Sequence, residues 1–411
     1  MSVEKSKKTK IKRILFLLTQ DLESPSGLGR YFPISKNLVK QGFSVHIAAL
    51  HSNYETLDKK EWFIEGVKVS YVAQMHVKKV SNQTKYFGPF KLLWYSIIAT
   101  WKLLIFTLRN PTDIVVIGKP HPMNSIAGLI GGKLLHAKII LDCDDYEAAS
   151  NYFSSTWQQW IIKIFENTMP KLVDIITTNT YFNKERMIGL GVPAEKINYL
   201  PNGIDRDRFR NLDPMIEAQI RQSLDLEGKK VIAYIGSLSL ANHPVDLLIQ
   251  AFKLVNEKND RINLLIVGGG KDIDVLKAMV IKQGNEKFVH FVGRVSSDLV
   301  PYYYKLAHVT VDPVYDNDSA RGRCPLKMFE SWAMKTPFLT ADVGDRRMLS
   351  GELSRYTLAI SGNPLDLNDK LLSLLKDDEL TSRIVNSNYQ RFQNYLWDAL
   401  VEKFIDLLPK D

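Results

Sequence analysis

Two tandem α/β domains, each a doubly wound parallel sheet covered by helices, are the fold predicted for this 411-residue chain. Two observations carry the prediction. Short apolar runs alternate with helical patterns through the first half, and the alternation restarts after a polar stretch. Such alternation implies parallel strands, because each crossover lays a helix on the sheet. The length suits two domains of ordinary size.

In the first half RILFLLT reads as a strand, GRYFPISKNLVKQG as a helix and FSVHIAAL as a strand. DIVVIG, a helix through SIAGLIGGKLLH, and the strand KIILDCDD follow. A long helix around WQQWIIKIFENTMPKLV precedes the strands DIITTN and INYLPNG. Residues 213–230 are polar and read as a linker. The second half then runs KVIAYIGSL (strand), VDLLIQAFKLVNEK (helix), INLLIVGGG (strand) and IDVLKAMVIKQG (helix). VHFVGRV (strand), LVPYYYKLA (helix) and VTVDPVY (strand) complete it, before one more helix and the strand TPFLTADV. Ligands of open α/β sheets bind beyond the carboxyl ends of the strands. Two such edges facing each other are expected to form a cleft for two substrates.

That last helix lies in RGRCPLKMFESWAMKTPFLTADVGDRR, residues 321–347. Pro325 suits a helix start, since its missing N–H would be unpaired there anyway. Lys327 and Glu330 are three apart and share a face. A helix N-terminus favours a phosphate, Lys327 adds a full charge, and Glu330 can accept hydrogen bonds from sugar hydroxyls. The alternative is an ordinary surface Lys–Glu pair. A site that takes a pyrophosphate and a ribose together suits a nucleotide-sugar enzyme.

Composition is that of a soluble globular protein, 45% hydrophobic and 24% charged. Cys143 and Cys324 are too few for a disulfide framework, which favours a reducing, cytoplasmic compartment. The net charge is +9, and residues 1–13 hold six Lys/Arg against one Glu, hence +5 of it. This arm is expected to be solvated, or to touch anionic headgroups at the inner face of a membrane. No nucleic-acid motif accompanies the charge, so nucleic acid is not an expected partner. No apolar signal-type run precedes Ile14. Residues 92–108, LLWYSIIATWKLLIFTL, are strongly apolar but short for a span and interrupted by Lys102. They read as a buried or half-buried helix; the alternative is a helix in a membrane interface.

Taken in order, these segments resemble the retaining nucleotide-sugar glycosyltransferases with two Rossmann-like domains (the GT-B fold), especially the family-four group. KINYLPNGIDRDRF resembles the crossover between domains, and VIAYIGSLSLANHPVDLLIQAF the start of the second domain. LLIVGGG and FVGRV resemble its next strands, CPLKMFESWAMKTPFLTADVGD the donor-binding helix and strand, and NYLWDALVEKFIDLL the terminal helix that crosses back. The resemblance implies an acceptor domain over 1–209, joined by residues 393–411, and a donor domain over 210–392. It implies that Glu330 binds the ribose, that Lys327 and the backbone of 324–327, including Leu326, hold the pyrophosphate, and that Gly236 and Ser237 line it from the opposite loop. Arg294 would sit beside the nucleobase, and the glycine loop Gly27, Leu28, Gly29 would approach the sugar and acceptor. Metal-independent transfer without a cofactor is the family's habit.

The departures are specific. Where the family usually has a Glu eight positions before Glu330, this chain has Gly322 between Arg321 and Arg323. Where it often has an Arg and a Lys after the first strand of the second domain, Ser237 and His243 stand. Arg321, Arg323 and Lys327 are therefore expected to supply the relocated charge that neutralises a leaving diphosphate. The alternative leaves the arginines merely exposed. Asp144 stands where the family often has a His, beside Asp145, in the acidic run Asp142, Asp144, Asp145, Glu147. These carboxylates suit a role toward sugar or acceptor, a base, a hard cation, or simple strand-end capping. His121 follows a strand on a loop and is as readily structural as catalytic. The expected activity is sugar transfer to a hydroxyl of a glycan or lipid-linked acceptor. A non-catalytic scaffold and a nucleotide-sugar epimerase are the alternatives.

Overall fold

The computed structural model describes residues 12–24, 26–80, 83–151, 153, 155–257 and 261–409. Residues 1–11, most of the basic arm, lie outside them. The chain divides into two compact units. One runs to Asn179 and adds Asn183–Leu200 and the residues from Val401 onward; the other is Thr180–Phe182 with Pro201–Leu400. The division thus falls at residue 200 rather than 209, and the terminal segment joins the first unit from 401 rather than 393.

The first unit carries β1 (Arg13–Leu18), β2 (Ser44–His51), β3 (Glu61–Ile64), β4 (Val67–Gln74), β5 (Val77–Val80), β6 (Gln83–Tyr86), β7 (Ile114–Gly118), β8 (Lys138–Cys143), β9 (Ile175–Thr178) and β10 (Ile197–Tyr199). Its sheet has the order β10-β9-β8-β7-β1-β2-β4-β3. Every neighbouring pair in it is parallel except β3–β4, and β5 and β6 form a separate antiparallel hairpin. The helices are α1 (Phe32–Lys40), α2 (Pro89–Arg109), α3 (Pro122–Leu134), α4 (Glu147–Ser150), α5 (Thr156–Leu172) and α6 (Tyr181–Gly189). Alternation along the strands fixes the layers. Leu15, Leu17, Val115, Ile117, Ile139 and Leu141 face a core shared with Ala99 of α2, Ala127 of α3 and Met169 of α5. On the opposite face of β1, Phe16 meets the Tyr31 ring edge-on.

The second unit has α7 (Pro214–Ser223), β11 (Lys230–Ile235), α8 (Val245–Asn256), β12 (Ile262–Val267), α9 (Ile273–Lys282), β13 (Val289–Gly293), α10 (Val300–Leu306), β14 (Val309–Asp312), α11 (Asp318–Arg321), α12 (Leu326–Ala333), β15 (Phe338–Ala341), α13 (Arg346–Ser350), α14 (Ser354–Thr357), β16 (Leu358–Ala359), α15 (Pro364–Lys376), α16 (Asp378–Phe392) and α17 (Trp397–Asp406), whose end belongs to the first unit. Its sheet, β13-β12-β11-β14-β15-β16, is parallel throughout. In each sheet the order reverses beside the first strand of the unit, at β1/β7 and at β11/β14. Such switch points leave a crevice at the carboxyl edge.

One expectation needs correction and another holds. The supposed linker contains α7, started by the Asp213 carboxylate accepting the Met215 N–H at 2.9 Å and by Pro214 in the first helical position. Both are ordinary helix-start signals, hidden by the polar composition. Residues 92–108 do lie in a half-buried helix, as expected: Ala99, Leu103 and Thr107 of α2 are buried, while Trp94, Ile97 and Trp101 are exposed.

Candidate functional site

In the second unit the carboxyl edge of the sheet collects the buried carboxylate of Asp312 and several cations. Asp312 ends β14 and is buried. From the first turn of α12, Lys327 places Nζ 2.6 Å from Asp312 Oδ1 and 3.2 Å from the Tyr234 hydroxyl, over the Tyr234 ring. Burial alone would lower the Lys327 pKa. Asp312 and Tyr234 outweigh it and raise it, so the ammonium stays charged. Tyr234 donates in turn to the Ser237 carbonyl at 2.7 Å. Gly236 leaves the room this needs: a Cβ there would lie 2.6 Å from Lys327 Cε and 2.7 Å from Nζ.

The loops after β11 and β12 touch through glycine. A Cβ on Gly268 would meet the Gly236 carbonyl oxygen at 1.8 Å, and one on Gly269 would meet Arg294 Cγ at 2.8 Å. Ser237 and Arg294 are exposed there.

Arg323 donates to Ser319 Oγ at 3.0 Å and Asn242 O at 3.4 Å. Arg321 is exposed and forks onto Asp316 at 2.7 and 2.9 Å, so its guanidinium is engaged by a neighbouring carboxylate. In this unit the buried cation that the sequence did not single out is Arg346. It donates to the carbonyls of Ala320 and Val343 at 3.2 and 3.1 Å. Burial, opposed by Asp312, lowers its pKa. His243 Nδ1 lies 4.0 Å from Asp312. Burial and the charge of Lys327 push its pKa down to about 3, so it is neutral near pH 7. No spacing rule links residue 346 to 327; the α13 start that carries it became visible only in the fold.

One turn beyond Lys327, Glu330 is mostly buried. Its Oε2 accepts from the Tyr304 hydroxyl at 2.9 Å and its Oε1 lies 3.6 Å from Arg208. Burial raises its pKa against the pull of Arg208 and Tyr304. Pro325 caps α12 rather than entering it, and Leu326 is its first residue.

The first unit gathers a separate charged network at its own carboxyl edge. Arg30 forks onto Asp142 at 2.7 and 2.6 Å, both side chains buried, and Thr177 donates to Asp142 at 2.6 Å. Asp144 accepts from Ser26 at 2.7 Å and Asn179 at 3.2 Å. Lys119 lies 2.7 Å from Glu147, 3.5 Å from Asp144 and 3.6 Å from Asp145. The acidic run is thus neutralised by two cations from other loops. Among the described residues, the carboxylate–histidine group close enough to share a cation is a different one, Asp21, Glu23 and His51. His121 joins the network, with Nδ1 2.6 Å from Thr19 Oγ1 and Nε2 3.2 Å from Glu147. Gly27–Tyr31 form a π-helical turn. Gly27 is obligatory, because a Cβ would meet the Asp21 carbonyl at 2.2 Å. Leu28 is exposed at the same turn, beside Gly29.

Comparison with known proteins bears on the family and the fold. Residues 215–391 match the model described as glycosyl transferases group 1, and residues 30–208 the model of glycosyltransferase family 4. A GDP-mannose-dependent α-(1-6)-phosphatidylinositol monomannoside mannosyltransferase of Mycobacterium tuberculosis is 25% identical over 58% of this chain and 62% of its own length. This chain therefore spans somewhat under two thirds of that relative. A D-inositol 3-phosphate glycosyltransferase of Corynebacterium glutamicum is 23% identical over 75% of both chains. Anabaena HepE, solved in complex with UDP and glucose, superposes with a TM-score of 0.72 at 15% identity, covering 96% of this chain and 98% of its own. The likeness establishes the two-domain GT-B fold.

Proposed function

We propose, since the chain belongs to the glycosyl transferases whose group 1 and family 4 models it matches, that it moves a sugar from a nucleoside diphosphate to a hydroxyl of a glycan or lipid-linked acceptor. One observation carries the reading. A charged Lys327 at the start of α12 shares the carboxyl edge of the sheet with Arg323 and Arg346, one turn before Glu330. A diphosphate gains charge as it leaves, and fixed cations in a site shielded from water stabilise it most. These side chains meet the charge without a metal or a cofactor, and chelators should leave turnover unchanged.

Transfer proceeds with retention. The leaving phosphate, held by Lys327 and Arg323, takes the proton of the incoming hydroxyl on the same face of the sugar. Glu330 takes the ribose hydroxyls in exchange for the Tyr304 hydrogen bond. Gly236, Ser237 and the backbone at Leu326 border the phosphates, and Arg294 the base. In the first unit Asp144 holds the Gly27–Gly29 turn through Ser26. Asp145 and His121, the more open members of that network, are the groups available to an acceptor. The reaction is cytoplasmic.

Calorimetric titration with UDP, GDP and ADP, of wild type and Glu330→Ala, tests the site. Selective binding of one nucleotide, lost in the variant, is expected. Unchanged affinity in Glu330→Ala removes the ribose assignment. Free nucleoside diphosphate released from a nucleotide sugar without any acceptor would instead indicate an epimerase.

A further inference from the structure

The outward face of α2 is apolar along its whole length. Phe90, Trp94, Ile97 and Trp101 are 90%, 62%, 56% and 63% exposed, and Leu108 continues the row. Steps of three and four residues keep them on one stripe. The opposite stripe, Ala99, Leu103 and Thr107, is buried against the unit's own core. The helix is therefore apolar on two sides, and the unit covers only one of them. The neighbouring α3, packed against α2, exposes Ile130 and Leu134.

Charge lies beside the stripe in a single row. Lys91, Lys102 and Arg109 are exposed. Their spacings of 11 and 18 residues from Lys91 are close to whole numbers of turns at about 3.6 residues each, so they line one flank. Lys102 also lies over the Tyr54 ring. No Asp or Glu occurs in Pro89–Arg109. The helix has the length and composition of a membrane span, but its packing holds it along the unit: a Cβ on Gly131 of α3 would lie 2.6 Å from Thr107 Cγ2.

We infer that α2 seats the protein on an anionic lipid surface, lying in the headgroup region parallel to the membrane. Trp94 and Trp101 would enter the headgroup–acyl boundary, where an indole keeps its N–H wet and its ring dry. Lys91, Lys102 and Arg109 would reach back to phosphates along their flexible stems. The all-cationic flank favours an anionic bilayer over a second copy of the chain. The inference stands apart from the proposed transfer, because it needs neither nucleotide nor acceptor.

Cosedimentation of the full chain with vesicles tests it, using phosphatidylcholine alone and mixed with phosphatidylglycerol. Wild type should bind the mixed vesicles at least about tenfold more tightly, and less so at high salt. Trp94→Ser/Trp101→Ser should lose about tenfold or more of that affinity while keeping its circular dichroism spectrum. Lys91→Gln/Lys102→Gln/Arg109→Gln should lose the anionic preference. Absence of wild-type binding overturns the inference. So does undiminished binding of either variant, which would assign attachment to the arm before Lys12. Self-association removed by the tryptophan substitutions, in sedimentation equilibrium without lipid, would give the face to a second copy instead.

Discussion

Lys327 and Asp312 form a shielded ion pair, Nζ to Oδ1 2.6 Å, that joins the first turn of α12 to the end of β14. An ammonium has three donors. Asp312 takes one and the Tyr234 hydroxyl another. The pair therefore aims the cation as well as holding its charge. Lys327→Ala removes the charge and leaves Asp312 without its nearest partner. Breaking a buried pair this way costs about 3–5 kcal/mol. Urea unfolding should register that loss in Lys327→Ala and recover much of it in Lys327→Ala/Asp312→Asn. In both, turnover should fall further than nucleotide affinity, because leaving-group charge is largest in the transition state. Equal losses in both quantities would make Lys327 a plain binding residue.

Gly236 separates aim from charge. The three atoms nearest a Cβ at this position are the mobile end of Lys327, at 2.6 and 2.7 Å, and the Tyr234 hydroxyl at 3.1 Å. Gly236→Ala, at φ +159°, should lose some stability yet still fold, and should push the ammonium off its place, cutting turnover about tenfold or more for a displacement on the order of 1 Å. Gly268→Ala is the contrast. Its Cβ meets backbone, the Gly236 carbonyl at 1.8 Å, at φ +135°. That variant should fail to fold stably. Thermal melts beside turnover distinguish the two, and unaltered turnover in Gly236→Ala would mean that the position of Lys327 is unimportant.

The sequence disclosed most of the sheet-forming strands and the helix with Lys327 and Glu330, because long apolar runs and a Pro at a helix start are local signals. It did not disclose α7, whose polar composition masked an Asp-Pro start. Nor did it disclose β3, β5 and β6, which are four residues each, or β4, an eight-residue and mostly buried strand whose Lys68, Ser70 and Gln74 break its apolar run. Pattern named the apolar segment at 92–108 but not which side of it faces out. The stripes 90/94/97/101 and 99/103/107 are both apolar, so no periodicity separates them. Site charge was legible by type and not by pairing. Arg321 read as a phosphate ligand, but Asp316, five residues earlier, engages it. Arg346 enters through the fold alone, as does the neutralisation of Asp144 and Glu147 by Lys119.

Glu166 is a buried acid held close to neutrality. It accepts the N–H groups of Glu147 and Ala148 at 2.6 and 3.0 Å. Burial, with Glu147 nearby and Arg186 opposing, raises its pKa from 4.5 to about 7. In the unfolded chain it ionises near its ordinary value, so the folded state loses stability as pH rises from about 4.5 through about 7. The loss approaches roughly 3 kcal/mol above that window. Glu166→Gln keeps an acceptor for only one of the two N–H groups, which reach different carboxylate oxygens, but has no charge to bury. The variant should trail wild type near pH 4.5, where one N–H has lost its acceptor, and gain about 2–3 kcal/mol on it by pH 8. A gap independent of pH would show that Glu166 ionises freely in the fold.

Arg30 and Asp142 tie the glycine turn to the sheet. Both side chains are buried, and the fork of 2.7 and 2.6 Å is completed by the Leu200 carbonyl at 3.2 Å. Burial alone would raise the Asp142 pKa; the guanidinium and Thr177 outweigh it and lower it. Arg30→Lys keeps the charge but replaces two fixed donors with a single point charge, and so should recover little. Arg30→Met strands the carboxylate and should cost about 3–5 kcal/mol, whereas Arg30→Met/Asp142→Leu, with no charge left to bury, should regain most of it. Arg30 directly follows Gly29, so proteolysis within residues 21–31 should accelerate in Arg30→Met and slow again in the double variant. Stability restored without slower cleavage would mean that the pair supports the sheet and leaves the turn to be held by Ser26 and Asp144.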